Sequence, residues 1–600
     1  MCGIYGYFDR SGAALPDATL AQMDRLLTHR GPDDSGHVRF SHGAIGNRRL
    51  SIIDIEGGHQ PMTAAEGKVS VVQNGEIFNF VELAEMLRRD GIALRTRSDT
   101  EVLLALYLRD GVDFVRHLNG MFAIAVHDGR GDRPVLHLYR DRMGVKPLYV
   151  HDDGTRLTFA SEIKPIFATG VRPVANREAL HHFLVLNYVP PPLTAFDGIR
   201  HVPPGGRLSI SPTGMVEDRW WRLADIQPQP MKLADASAEL LALLDDAVRI
   251  RLRADVPFGA FLSGGIDSST VTGLMAMHMS RPVDTFSIGF EDQRFDETRH
   301  AHAVSQRFGT NHRHEIVSPR MLGRWPDVLH HLEQPHGDVS FMPTLRVAEL
   351  AAAETKMVLT GDGSDELFAG YDKYLNFFGP SATFGDDATF ARTYTDSALT
   401  LFPETTLDAD LYASGAAKAV AGLSTHDLIA GHLADVPQFD HLTRALYLDA
   451  LLLLPGNNLV KPDRMGMAVS LEARTPFLDY RVVELAFRMK AELKLSEGRT
   501  KHILKHTVRP LLGSALTDRS KQMFTVPVGE WLKQDLAGHA REMLLSDQFN
   551  DRGLFQPDTV RLLLESHIQG SRNNTREVRA LMALEHWHRL FIDADADTDV

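Results

Sequence analysis

Apolar positions in the first third of the chain fall in short runs separated by Gly, Asp and Asn. Val69-Ser70-Val71-Val72, Met121-Phe122-Ala123-Ile124-Ala125-Val126 and Arg156-Leu157-Thr158-Phe159-Ala160 are such runs. Their β-branched and aromatic content between turn residues predicts strands. Helical spacing intervenes at 81–88 and 101–108, with Ser98 or Asp99 placed to cap the second segment. Many strands and few helices predict a layered, sheet-based unit. Pro and Gly then gather in Val189-Pro190-Pro191-Pro192 and Val202-Pro203-Pro204-Gly205-Gly206, which reads as a connector. Beyond Leu233 long helical patterns are interrupted by short buried runs at 258–262 and 357–360, an alternation that predicts a parallel α/β sheet. The rest is mainly helical, with no internal repeat. The acidic run Asp593-Ala594-Asp595-Ala596-Asp597 is predicted to fray. Two units are expected, over 2–215 and 235–600.

The 600 residues exceed what one compact core holds, which supports that division. A net charge of −14 argues against nucleic acid as the main partner and leaves small anionic substrates open. No run of about 18 or more apolar residues predicts a membrane span. The start, Met1-Cys2-Gly3-Ile4-Tyr5-Gly6, lacks the basic head and apolar stretch of a signal peptide, so a cytoplasmic location is the default expectation. With one cysteine no intramolecular disulfide can form. The 28 histidines include no His-Glu-x-x-His, and zinc is not expected.

A lone cysteine is ordinarily a small core residue. Here it stands second, and removal of Met1 would put the thiol and a free α-amine on one residue, where the amine serves as the thiol's own base. Its company is specific: Cys2-Gly3-Ile4-Tyr5-Gly6, His29-Arg30-Gly31-Pro32-Asp33, Arg49-Leu50-Ser51-Ile52-Ile53, Asn74-Gly75-Glu76-Ile77-Phe78-Asn79 and Ser98-Asp99-Thr100-Glu101 follow in order. Together they resemble the glutaminase domain of class II glutamine amidotransferases, an Ntn-hydrolase α-β-β-α sandwich. The resemblance implies Cys2 as nucleophile, with the Asn74 amide and the Gly75 N–H as donors to the oxyanion that amide attack creates. Arg49 suits the glutamine α-carboxylate through its fork of donors. Asp99 and Glu76 suit the α-ammonium, Asp99 foremost, and Leu50, Ser51, Ile52 and Ile53 complete the implied glutamine site.

Leu262-Ser263-Gly264-Gly265-Ile266-Asp267-Ser268-Ser269 leaves a predicted strand and opens a helix. Small residues with free N–H groups at a helix start cradle anions. The segment lacks the Gly-Lys-Ser/Thr ending of a Walker loop and resembles the pyrophosphate (PP) loop of enzymes that split ATP into AMP and pyrophosphate. Downstream, Thr360-Gly361-Asp362-Gly363-Ser364-Asp365 leaves a second strand with carboxylates suited to Mg²⁺. With Lys461-Pro462-Asp463-Arg464, Glu472-Ala473-Arg474 and Lys501-His502-Ile503-Leu504-Lys505, these motifs resemble the glutamine-hydrolysing asparagine synthetase family from Cys2 to about Trp531. That resemblance implies a PP-loop synthetase domain using ATP and Mg²⁺. Asp267 and Asp365 would hold the metal. Leu262, Ile288, Thr360 and Gly361 would hold the nucleotide beside Ser263, Gly264, Gly265 and Ser268, and Lys501 would neutralise departing pyrophosphate. Asp362 stands where some members carry glutamate and would assist acyl-adenylate formation. Arg464 and Arg474 fit either a structural or a substrate-binding role.

The implied partners are glutamine, ATP and a carboxylic acid, aspartate first, with a homodimer left open. No residue above reads the acceptor, so an amide ligase for another acid is the nearest alternative.

Overall fold

The protein was analysed as a computed structural model that describes residues 2–379, 384–519 and 526–593. Met1 and nearly all of the acidic run predicted to fray lie outside the described residues. The first strands in chain order are β1 (Gly3–Asp9), β2 (Asp34–Phe40), β3 (Gly43–Arg49), β4 (Met62–Ala64), β5 (Val69–Ile77) and β6 (Gly120–Asp128). They are followed by β7 (Val135–Arg140), β8 (Tyr149–Asp152), β9 (Arg156–Ala160), β10 (Ile199–His201), β11 (Gly206–Ser211) and β12 (Gly214–Arg219). They form two six-stranded sheets ordered β10-β8-β9-β1-β3-β2 and β12-β11-β7-β6-β5-β4.

Alternating side chains explain the layering. Ile4, Phe8, Ile45, Val72, Ala123, Ala125, Leu138 and Phe159 pack together between the sheets. The opposite side chains of β5 and β6, among them Val71, Phe122 and Ile124, meet helices Phe80–Arg89 and Asp99–Asp110. Outside the other sheet, Tyr5 and Tyr7 join Leu20 and Met23 of helix Asp17–Arg25 in a further cluster. The unit is thus an α-β-β-α sandwich of the Ntn-hydrolase kind. Because β5 is covered on both faces, all its residues are buried, and its apolar start reads as a continuous run. Ser98 caps the second helix, its hydroxyl accepting the Thr100 N–H at 3.2 Å.

One sequence-based expectation shifts. The segment at 202–206 connects β10 in one sheet to β11 in the other, so it is a crossing inside the sandwich, its backbone turned by Gly205 at φ +65°. Strand β12 ends the second sheet at Arg219.

The second unit is built on β13 (Phe258–Phe261), β14 (Asp284–Phe290), β15 (Asn311–Val317), β16 (Met357–Leu359) and β17 (Glu472–Arg474), all parallel and ordered β15-β14-β13-β16-β17. The strand order departs in opposite directions from β13 and β16. Parallel α/β sheets open a crevice at the carboxyl ends of such a pair. Among the described residues no helix is long and apolar enough to cross a membrane.

Candidate active sites

Cys2 directly precedes β1 and is buried beside the end of β3, with which β1 pairs through Gly3 and Arg48. Its backbone N–H donates to Asn74 Oδ1 at 3.1 Å, and Arg30 Nε donates to its carbonyl at 3.1 Å. Burial pushes the thiol above its ordinary pKa, opposed by a hydrogen bond from the Leu50 backbone and by the Arg49 charge. Asn74 Nδ2 donates to Ser161 Oγ at 3.2 Å, which fixes the amide plane. The same hydroxyl accepts the Ile4 N–H at 3.0 Å. Sequence reasoning missed Ser161; its one signal was a polar pair, Ser161-Glu162, directly after the buried strand β9.

Gly75 has φ +147°, and a Cβ there would run into the Met121 carbonyl. The close approach that requires glycine here is to β6, the paired strand. Arg49 is also more committed than a free fork. Its Nη1 donates to the Ile55 carbonyl at 3.0 Å and its Nη2 to those of Ile53 and Asp54 at 2.9 and 2.8 Å. The guanidinium thereby shapes the 53–55 turn, and Leu50, Ser51, Ile52 and Ile53 are buried beside it.

Asp99 and Glu76 come close together but differ in saturation. Asp99 accepts from Gln73 Nε2 at 2.9 Å and the Ile77 N–H at 3.0 Å. Burial raises its carboxyl pKa against those bonds. Glu76 is pushed well above the ordinary carboxylate range by burial and by the nearby Glu472 and Asp99 charges. Its Oε2 has no hydrogen-bond partner among the described residues, and Arg474 stands 3.7 Å away. An orphaned buried carboxylate oxygen is costly, and it leaves Glu76 less saturated than Asp99.

The second site lies at the carboxyl ends of β13 and β16, in a cavity of about 690 Å³. Ser263, Gly265, Asp267 and Ser268 from the first loop line it with Thr360, Gly361, Asp362, Asp365 and Lys501. Gly264 turns the loop at φ +77°, where a Cβ would strike the His300 backbone. The hydroxyls of Ser263 and Ser268 lie 3.2 Å apart and Gly265 N–H donates to Ser263 Oγ at 3.3 Å, which closes the loop onto the first turn of helix Ile266–His278. A Cβ on Gly361 would fall 2.8 Å from both Asp267 Cβ and Ser268 N, so glycine there lets the two loops touch.

Lys501 Nζ is 2.6 Å from Asp267 and 2.8 Å from Asp365, and Ser364 Oγ donates to Asp267 at 2.6 Å. Burial lowers the ammonium's pKa, but the two carboxylates outweigh it and hold it above its ordinary value. Asp362 accepts from Thr360 Oγ1 at 2.6 Å; burial raises its pKa. Leu262 and Ile288 line a separate recess of about 100 Å³ with Phe286 and Val347, beside Ser263 and Glu297. Among the described residues no three acidic or histidine side chains converge as a metal cage. The pair Asp267 and Asp365 nevertheless fits Mg²⁺, which takes one or two carboxylates and fills its octahedron with phosphate and water oxygens.

The cavity also holds groups that the motifs did not single out for a role: Asp338, Glu366, Tyr371, Asn458, Lys461 and Arg519. Beside that lining, Gly370 leaves room for the cluster, since a Cβ there would overlap Asp365 Oδ1 and Lys501 Cε. Arg474 is not in this cavity. It is fully buried, bonded to Glu472 and to the Arg251 and Arg253 carbonyls, and faces Glu76. Arg464 joins Glu162 and Glu333, both at 2.9 Å, between the two units.

Comparison with known proteins agrees with both halves. Residues 1–221 match the glutamine amidotransferase domain and residues 239–589 match asparagine synthase. Asparagine synthetase [glutamine-hydrolyzing] 1 of Bacillus subtilis is 30% identical over 99% of this chain and 97% of its own length. A putative asparagine synthetase of Mycobacterium tuberculosis is 31% identical over 99% of this chain and 98% of its own. The amidase chyE of Penicillium rubens is 27% identical over 92% and 93%. Two adjoining family matches and end-to-end relatives agree with the paired sites: the chain belongs to the glutamine-hydrolysing asparagine synthase family, and it is a carbon–nitrogen ligase that draws its nitrogen from glutamine.

Proposed function

We propose that the enzyme converts L-aspartate, L-glutamine, ATP and water to L-asparagine, L-glutamate, AMP and diphosphate. The division of labour is a glutaminase part over 2–215 and a synthetase part over 235–600. In the first, the Cys2 thiolate attacks the glutamine carboxamide carbon. The Asn74 amide and the Gly75 N–H receive the oxyanion, ammonia leaves, and water hydrolyses the thioester. Arg49 takes the substrate carboxylate and Glu76, with Asp99, the ammonium, which relieves the carboxyl that burial otherwise forces toward protonation.

In the second part an acceptor carboxylate oxygen attacks the α-phosphorus of ATP. Diphosphate departs against Lys501 and the Ser263–Ser268 loop, and Asp362 orders the acceptor. Asp267 and Asp365 would hold Mg²⁺, which neutralises phosphate charge when bound. Ammonia then displaces AMP from the acyl carbon. The observation that carries this reading is the Asp267–Lys501–Asp365 cluster facing the phosphate loop in one cavity, in a chain whose buried second-position cysteine is held by its backbone N–H to Asn74.

A second reading keeps the chemistry and changes the acid. Asp362 is a methylene shorter than the glutamate of some relatives, and one end-to-end relative is named an amidase. Incubating the protein with glutamine, Mg-ATP and a panel of carboxylic acids decides between them. Asparagine with equimolar AMP is expected from aspartate; an amide from another acid alone supports the second reading, and ADP in place of AMP sinks both.

A further inference from the structure

Helix Val460–Met467 belongs to the synthetase part, yet through Arg30 it reaches the backbone of the thiol-bearing residue in the other. Asp463 accepts from Arg30 Nη1 at 3.0 Å and Nη2 at 3.3 Å. The remaining donor of that fork, Nε, holds the Cys2 carbonyl at 3.1 Å, while Nη1 also meets Glu162 at 3.1 Å. Since the Cys2 N–H is tied to Asn74, the backbone of the thiol-bearing residue is pinned on both sides, and one pin runs across the interface. Two residues earlier on the helix, Lys461 lines the synthetase cavity and pairs with Asp338 at 2.7 Å.

A guanidinium this buried cannot turn away from its carboxylates without leaving charges unpaired. The place of Asp463 therefore dictates the place of Arg30, and Arg30 that of the Cys2 carbonyl. We propose that Asp463 is a positioning residue for glutamine hydrolysis, acting through Arg30, so that the synthetase part sets the reactivity of the glutaminase thiol. This rests on the reading of Cys2 as the nucleophile.

The test uses full-length Asp463→Asn, Asp463→Glu and Cys2→Ala. Three quantities are followed: kcat and KM for glutamine hydrolysis, amide synthesis from ammonium, and the rate of Cys2 alkylation by iodoacetamide. Because angstrom-scale misplacement is enough to slow a reaction strongly, Asp463→Asn should lower hydrolytic kcat roughly tenfold or more, with KM within about twofold and ammonium-driven synthesis within about threefold. Alkylation should change with kcat, and Asp463→Glu should recover part of both. Unchanged hydrolysis, or parallel loss of both activities, overturns the proposal. If Asp463→Asn does not fold, Asp463→Glu must give the same split at smaller size, and its absence is decisive. Hydrolysis persisting in Cys2→Ala would instead sink the nucleophile reading, a separate failure.

Discussion

The Lys501 ammonium lies 2.6 Å from Asp267 across 234 residues of chain. Lys501 adopts φ +52°, an uncommon conformation for a side chain of its size, directly before helix His502–Leu512. Such strain gathers where a side chain must be aimed, and here it brings a buried cation to the two metal-suited carboxylates.

Replacing that cation should separate the two half-reactions. Lys501→Ala is expected to reduce acid-dependent ATP/pyrophosphate exchange by roughly a hundredfold, as the loss of one preorganised charge commonly does. ATP-independent glutamine hydrolysis should stay near its original rate. Exchange that survives in the variant would remove Lys501 from the phosphate chemistry.

Cys2→Ala is the complementary cut. Product formation from glutamine should vanish while synthesis from ammonium salts continues, both followed by amide formation with AMP release. Equal loss of the two activities would contradict a division into separate sites.

Gly361→Ala probes the contact between the loops. A methyl group 2.8 Å from Asp267 Cβ and Ser268 N leaves no room without a backbone shift, and overpacking of this kind costs about 1–3 kcal/mol. The expected signature is a higher KM for ATP at unchanged glutamine KM, together with a lower melting temperature. A variant with wild-type ATP kinetics would mean that the loops yield freely.

Lys494 offers a stability test far from either chemistry. It is fully buried beside the Phe487 ring, and burial lowers its ammonium pKa from 10.5 to about 8. A cation whose folded pKa is depressed penalises the fold fully below about pH 8, and the penalty fades as pH rises toward 10.5. Lys494→Met should therefore stabilise the protein by about 3 kcal/mol at pH 7, and by less at pH 9.5. Urea denaturation at the two pH values measures this; a variant less stable at pH 7 would refute it.

Much of this architecture was legible from side-chain pattern and motif. β9 was predicted at its observed limits, and helix Asp99–Asp110 extends the predicted 101–108 by two residues at each end with Ser98 as its cap. The phosphate loop and Thr360–Asp365 emerge side by side because β13 and β16 are neighbours, a pairing that local sequence does not encode. What stayed hidden was long-range saturation. Arg49 looked like a free fork until its carbonyl partners were placed, and the Met121 carbonyl that requires glycine at position 75 lies on a strand far along the chain. Resemblance puts Asp99 ahead of Glu76 for the ammonium; it does not show that Asp99 is saturated while Glu76 Oε2 lacks a partner among the described residues.

Arg30 meets Asp463 across 433 residues. A ribosome adding about 5–20 residues per second therefore makes the arginine wait on the order of half a minute or more for its carboxylate. Until then Arg30 has the Glu162 carboxylate of its own part but not Asp463, so the proposed role of Asp463 implies a nascent chain that spends little glutamine before its consuming half exists. Ribosome-bound chains stalled ahead of residue 463 should hydrolyse glutamine far more slowly than released ones; equal rates would show that maturation needs no such delay.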